Sequence, residues 1–367
     1  MNAEFLGALE DLERERGINK EVLLEAIEAA LISAYRRHFG QAQNVRVHID
    51  RETGEPRVYA VKTVVDRVTD DRLEVSLAVA REQDPTVKIG DVVEYNITPK
   101  AFSRIAAQTA KQVVMQRIRE AERGLIYQEF SSREGDIVTG VIQRVEPLHD
   151  GGSRDLADLL RGGDRHPRIF LDLGRTEAIL RPSDQVPTER LRSGDRVKAY
   201  VVEVKKTTKG PEIYVSRSHP GLLKRLFEME VPEIHDGIVE IKGIAREAGY
   251  RSKVSVWSDD PNVDPVGACV GPRGMRVQAI VNEIQGEKLD IIRWDPDPVR
   301  LVANALSPAK VTSVTVDPET RVARVVVPDY QLSLAIGKDG QNARLAAKLT
   351  GWKIDIRSES QAEGGNW

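Results

Sequence analysis

A multidomain α/β protein is predicted by three observations in the 367-residue sequence. Two Gly-x-x-Gly turns, Gly271–Gly274 and Gly337–Gly340, start 66 residues apart inside matching surroundings, so the C-terminal half repeats one small α/β module. The middle carries short alternating runs separated by turn signals, the pattern of a small closed β-barrel. The N-terminal part carries amphipathic helices around a strand hairpin, which makes an α+β unit. The boundaries read as 1–132 for the N-terminal unit, 133–218 for the barrel, 231–298 and 299–358 for the two repeats, and 359–367 for a flexible tail.

Composition narrows the function classes. The chain is 40% hydrophobic and 30% charged, enough to bury several cores. No apolar run approaches the roughly 20 residues of a membrane span, and the start lacks the basic-then-apolar layout of a secretion signal. A cytosolic protein with no membrane partner is expected. Cys269 is the single cysteine, and the six histidines do not fall at metal-ligand spacing, so neither a disulfide nor a zinc or redox site is expected. The formal net charge of −3 provides no global attraction to nucleic acid. Any such binding must come from local patches.

In the N-terminal unit, "NKEVLLEAIEAALISAYRRHFG" starts at an Asn19 cap, carries Val22, Leu23, Ala26, Ile27, Ala30 and Leu31 at helical spacing, and stops near Gly40. "NVRVHID" and "RVYAVKTVV" flank the turn-like "RETGEP" and predict a hairpin packed on that helix. A second long helix is predicted over roughly Ala101 to Arg123. Ala107, Ala110, Val114, Ile118 and Ala121 form its apolar stripe; Arg104, Gln108, Lys111 and Met115 form another about a quarter turn away. On the residues alone this second stripe reads first as a solvated face, with a protein-binding surface as the alternative.

In the middle, "GDIVTGVIQRV", "RIFLDLG", "TEAILRP", "DRVKAYVVEVKK" and "PEIYVSRS" suit the strands of an OB-fold. Its interior would take Val138, Val141 and Val145, and its ligand face would gather Phe170, Arg181 and Tyr200. The Gly- and charge-rich segment from Pro147 to Pro167 reads as a long inserted loop.

The two repeats align from Val270 to Ile292 and from Ile336 to Ile356, each as helix, glycine turn, helix, glycine stop (Gly286, Gly351) and strand. Two glycines three apart leave the helix junction without side-chain walls. Backbone N–H groups and the next helix's positive end can then approach phosphates closely. Arg273 and Lys338 supply charge inside the turns, Arg276 and Arg344 supply a second base after them, and Val270 and Ile336 would form an apolar floor for bases. KH domains clamp about four nucleotides of single-stranded RNA in this way. Glycines serving only helix packing are the alternative for one copy; the repetition favours RNA.

The order of helical unit, OB barrel and two KH modules resembles the NusA family of bacterial transcription elongation and termination factors over essentially the whole chain. The specific stretches are "RIAAQTAKQVVMQRIREAER", "KTTKGPEIYVSRSHPGLL", "DPNVDPVGACVGPRG" and "IGKDGQNARLAAKLTGWKIDI". The resemblance implies prokaryotic-type KH modules and a barrel of the kind repeated in the ribosomal protein S-one, all lying along one extended RNA surface. It further implies that the N-terminal unit docks on core RNA polymerase at the flap region near the RNA exit channel. RNA contact is thereby implied for Gly271, Arg273, Gly274 and Arg276, for Gly337, Lys338, Gly340, Gln341, Asn342 and Arg344, and more weakly for the barrel's Arg181 and Arg196. Arg104, Gln108 and Lys111 become polymerase contacts. Asp339 is an odd neighbour for a phosphate, which its charge would repel.

The expected protein is a non-enzymatic, monomeric transcription factor that binds polymerase and nascent single-stranded RNA and modulates pausing, intrinsic termination and antitermination. Other elongation or antitermination factors are expected as further partners, and no cofactor, nucleotide or metal is expected. Some members of that family continue into acidic C-terminal repeats that mask the RNA surface; for a chain ending at "SESQAEGGNW" such masking is not expected. A ribosome-associated KH/OB RNA-binding protein is the second reading. An accessory subunit of an RNA-degrading enzyme is a third, weakened because phosphorolytic domains have no counterpart here. The absence of a P-loop argues against a KH-bearing GTPase.

Overall fold

The computed structural model describes residues 3–39, 44–146 and 167–363. The chain divides into two compact units, Met1–Leu125 and Ile126–Trp367.

The first unit contains α1 (Ala3–Arg16), α2 (Lys20–Phe39), β1 (Val45–Ile49), β2 (Pro56–Val65), β3 (Glu74–Ser76), α3 (Leu77–Gln83), β4 (Val92–Asn96) and the first part of α4 (Phe102–Ser131). The Asn19 side chain accepts from the Val22 N–H at 3.2 Å, the cap read from sequence. β1 and β2 form the expected antiparallel hairpin, with Val47 opposite Val58. Leu23, Leu24, Ile27 and Leu31 of α2 bury against β1, β2 and α4. α1 is absent from the sequence reading because its short stripe of Leu6 and Leu9 is hidden among charges, yet both leucines are buried. The stripe predicted on α4 holds at Ala110 and Val114 but not at Ala107. Phe102, Ala106 and Ala110 are its buried face, joined by the partly buried Val113 and Val114, whereas Ala107 is exposed.

The second unit begins with the end of α4, which runs past Arg123 because Ile126, Tyr127 and Phe130 supply a new apolar stripe that packs on the barrel core. The barrel closes in the order β5-β6-β7-β9-β8, from β5 (Ile137–Glu146), β6 (Arg168–Asp172), β7 (Glu177–Leu180), β8 (Arg196–Thr207) and β9 (Gly210–Ser216). β7 and β9 pair in parallel and the other neighbours antiparallel, the OB arrangement. Strand alternation corrects the predicted interior. Val138 and Ile142 point inward with Gly140 between them, while Val141 and Val145 lie outside and are 43% and 40% exposed. The inserted loop from Pro147 to Pro167 lies, apart from Pro167, outside the described residues.

Two modules that share a β-β-α-α-β core follow. The first comprises α5 (Pro220–Glu230), α6 (Pro232–His235), β10 (Glu240–Glu247), β11 (Arg251–Trp257), α7 (Pro265–Val270), α8 (Met275–Glu283) and β12 (Lys288–Arg293). The second comprises α9 (Pro298–Ala305), β13 (Ser313–Asp317), β14 (Val322–Val327), α10 (Leu332–Ile336), α11 (Gln341–Thr350) and β15 (Lys353–Ser358). In each sheet the central strand pairs antiparallel with the preceding strand and parallel with the last. The parallel pairing requires a crossover, and the two helices joined by the glycine turn provide it. Residues Glu359–Glu363 form a further short helix, α12, where the sequence reading expects part of a flexible tail.

Buried cations pair within each part and donate to backbone carbonyls of the next. Arg217, 1% exposed at the side chain, makes a bidentate pair with Glu189 and donates to the carbonyls of Lys198 in the barrel and Glu283 in the first module. Arg246 and Glu287 form a second fully buried bidentate pair, and Glu287 also accepts from Ser252 Oγ and the Gly249 N–H. Lys253 Nζ donates to Asp290 on the neighbouring strand of its own module and, across to the second module, to the Ser307 carbonyl at 2.7 Å. The ionised partners satisfy one another's hydrogen-bonding capacity, as burial of charge demands.

Candidate nucleic-acid interface

The two glycine turns are superposable in backbone conformation. The first glycine has φ 72°, ψ 174° at Gly271 and φ 78°, ψ 168° at Gly337. This region is essentially closed to residues with a Cβ. A Cβ on Gly271 would stand 2.6 Å from the Arg276 side chain, and one on Gly337 would stand 2.8 Å from Cβ and backbone N of Asn342. The third residue is left-handed in both copies, Arg273 at φ 54° and Asp339 at φ 54°. Asp339 is explained here: aspartate tolerates the left-handed region better than most residues, so its presence reflects the turn and needs no phosphate contact.

Gly274 and Gly340 then begin α8 and α11, and no side chain caps either helix. Each turn thus presents a helix N-terminus without a side-chain cap, whose positive dipole end suits an anion. Arg273 and Lys338 are exposed beside them. Ile336, at 37% exposure, offers the apolar floor in the second module; Val270 is only partly exposed in the first.

Other predicted ligands have different occupations. Arg276 does not correspond to Arg344 but to Asn342, five residues after the first glycine in each copy. Both reach back to the preceding helix: Arg276 Nη1 donates to the Ala268 carbonyl at 2.6 Å, and Asn342 Nδ2 donates to Ala335 at 3.0 Å and to Leu334 at 3.4 Å. Asn342 also donates to Leu306 O and is 1% exposed, so it is an internal staple of the turn, away from any ligand. Arg276 is further tied to Glu233 of α6. In the second module Gln341 and Arg344 both bind Glu247, at the end of β10 in the first module, with the Arg344 contact at 2.6 Å. The Arg344 hydrogen bond, followed by the one from Gln341, holds the Glu247 carboxyl below the usual carboxylate range. Arg344 nevertheless keeps 57% of its side chain exposed. Cys269 is buried and its thiol is pushed up to about 12, chiefly by burial, which keeps it protonated.

On the barrel, the expectation for Phe170 is corrected: it is buried under the Arg144 guanidinium, which lies 4.0 Å from the ring centroid. Tyr200 is stacked on His219 at 4.6 Å, so its ring face is already used. Burial lowers the His219 pKa, and His219 Nδ1 accepts from the Gly221 N–H at the start of α5. Arg181 pairs with Asp184 and lies 4.8 Å over Tyr214; Arg196 is exposed on β8. The strand registers bring Arg144, Phe170, Ile179 and Tyr214 into one row across the barrel wall. Arg144 and Tyr214 are absent from the sequence reading. The alternation in "PEIYVS", with Ile213 and Val215 buried, is the signal that turns Tyr214 outward.

In the first unit, Arg104, Gln108 and Lys111 are all exposed on α4, one and two turns apart, with the 43%-exposed Met115 a turn further on.

Residues 4–124 match the NusA N-terminal domain, residues 217–294 the NusA-like first KH domain and residues 298–364 the NusA-like second KH domain. The chain is 61% identical to the transcription termination/antitermination protein NusA of Bacillus subtilis, over 99% of this chain and 92% of the relative. Identity to the protein of that name from Thermus thermophilus is 45%, over 96% of this chain and 89% of the relative. Among solved structures, the solution structure of the N-terminal domain of NusA from B. subtilis is 63% identical, covers 34% of this chain and 99% of its own, and aligns with a TM-score of 0.31.

Proposed function

The chain belongs to the NusA family of transcription termination/antitermination proteins, and on that premise we propose that it rides on RNA polymerase and grips the emerging transcript through its two glycine turns. The observation that carries the RNA contact is the pair of Gly-only turns, each opening a helix without a side-chain cap beside an exposed base, Arg273 or Lys338. Gly271, Gly274, Gly337 and Gly340 bring the backbone close to phosphate, and Arg344 contributes from the second module's rim. The barrel, 133–218, extends the RNA surface through Arg181, Arg196 and the cation–aromatic row that includes Arg144 and Tyr214. Arg276, Gln341 and Asn342 hold the turns in place.

The N-terminal unit, 1–132, docks on core polymerase near the flap region, with Arg104, Gln108 and Lys111 in the contact. Tethering then raises the effective concentration of the RNA surface at the exit channel, so modest intrinsic affinity suffices to influence hairpin formation, pausing and release. The protein acts as a monomer in the cytoplasm, by binding alone, without catalysis, metal or nucleotide.

Two sets of substitutions test the two halves separately. Pro272→Asp and Arg273→Asp combined with Lys338→Asp should lower affinity for single-stranded RNA about tenfold or more and flatten its salt dependence, because phosphate contacts are lost. Polymerase binding should be unchanged. Unaltered RNA affinity in that folded variant refutes the turn assignment. Conversely, Arg104→Glu with Lys111→Glu should weaken co-migration with polymerase about tenfold through charge reversal in the contact, with RNA affinity intact. Undiminished co-migration refutes the polymerase assignment.

A further inference from the structure

Tyr330 is 79% exposed, the highest value for any large hydrophobic side chain among the described residues. It stands seven residues before Gly337, at the entrance to α10. The residues on either side of it are fastened. Asp329 accepts from Ser360 Oγ of α12; the Gln331 N–H donates to the Pro328 carbonyl at 2.8 Å, and Gln331 Oε1 accepts from the Lys310 N–H at 3.2 Å. The backbone is therefore anchored while the ring is held out in water. One helical turn on, Leu334 is 45% exposed, and the exposed Lys338 follows at the glycine turn.

The fold does not require an aromatic there. Seven residues before Gly271, the first module has Asp264, whose carboxylate accepts from the Val266 N–H and caps α7. The second module gives up such a cap and puts a ring in the equivalent position, with α10 left without a side-chain cap. An apolar ring kept in solvent beside an anion-binding turn has the two components of a single-strand site, a stacking surface and a phosphate anchor. Helical rise sets roughly 10 Å between Tyr330 and Gly337, a span of one to two nucleotides.

We propose that Tyr330 is a base-stacking platform of the second module, on which a nucleobase lies while the Gly337–Gly340 turn holds a neighbouring phosphate. The inference rests on the RNA reading above and adds a residue and an asymmetry to it: the second clamp stacks a base at a position where the first has a helix-capping carboxylate.

The test compares two probes with the full chain, a single-stranded oligoribonucleotide of mixed sequence and an abasic strand of equal length, each about ten nucleotides long to span both modules. Tyr330→Ala should weaken binding of the oligoribonucleotide about five- to a hundredfold, with an unchanged salt slope, and leave binding of the abasic strand as it was. Tyr330→Phe should stay near wild type, since it keeps the ring. Equal affinity of wild type and Tyr330→Ala for the oligoribonucleotide overturns the proposal, as does an equal loss on both strands. A wild-type chain that binds neither strand overturns the RNA reading itself, and the stacking platform with it.

Discussion

Gly337→Ala should cost the second module about 2–4 kcal/mol, the range of severe backbone and steric strain combined. Two independent obstacles meet at this residue. Its φ of 78° with ψ of 168° has no favourable basin for alanine, and the added Cβ would fall 2.8 Å from the Asn342 backbone nitrogen. Asn342 cannot retreat easily, because its amide is fixed on the carbonyls of Leu306, Leu334 and Ala335 and its backbone belongs to the first turn of α11. Urea denaturation should show the lower midpoint, and RNA affinity should fall with it. Gly340→Ala is the matched control. At φ 74°, ψ 10° its Cβ would meet nothing within 4 Å, so only the left-handed strain of about 1–2 kcal/mol applies. Equal stability losses at the two positions would refute the clash with Asn342.

Those glycines also mark how far the sequence could be read. Their spacing and repetition reveal the tandem modules, because a backbone requirement for glycine leaves a direct trace in residue identity. The hairpin and α2 are legible for a similar reason: one face of each is buried, and burial imposes a period. What sequence leaves open is which polar side chain serves the fold. Arg276 and Asn342 differ in charge and size yet occupy one structural role, satisfying carbonyls at the end of the preceding helix. Nothing in composition separates such a staple from a ligand-binding base, since both call for a hydrogen-bond donor just after the turn. Glu247 is similar, as its partners Gln341 and Arg344 come from the other module and lie 94 and 97 positions away. In the barrel, the apolar character of Val141 suggests an inward side chain, whereas strict alternation from Val138 leads through the small Gly140 to Ile142. A Cβ at Gly140 would crowd Leu173 at 2.9 Å, so the buried position is taken by the one residue that shows no hydrophobicity in the sequence.

Arg217→Met should be the most damaging substitution away from the turns, at about 3–5 kcal/mol, the cost of leaving a buried charge without its partner. Arg217 and Glu189 are 1% and 2% exposed at their side chains and paired in both directions. Removing the guanidinium strands the Glu189 carboxylate in a site with little access to water. It also removes the donors to Lys198 O and Glu283 O, which join barrel to first module. The loss should therefore be structural as well as energetic: barrel and module are expected to unfold in separate steps in the variant, with the barrel's protease sensitivity rising before that of the module. Arg217→Met combined with Glu189→Leu removes both charges, and should recover most of the lost stability, since well-packed apolar replacements of buried pairs are often neutral. That recovery need not restore the junction, because the carbonyls of Lys198 and Glu283 stay without their donor. Stability measured by denaturation and coupling measured by limited proteolysis would then part company in the double variant. Should the single variant lose less than about 1 kcal/mol, no more than an exposed surface pair is worth, the Arg217 site is not what joins the barrel to the first module.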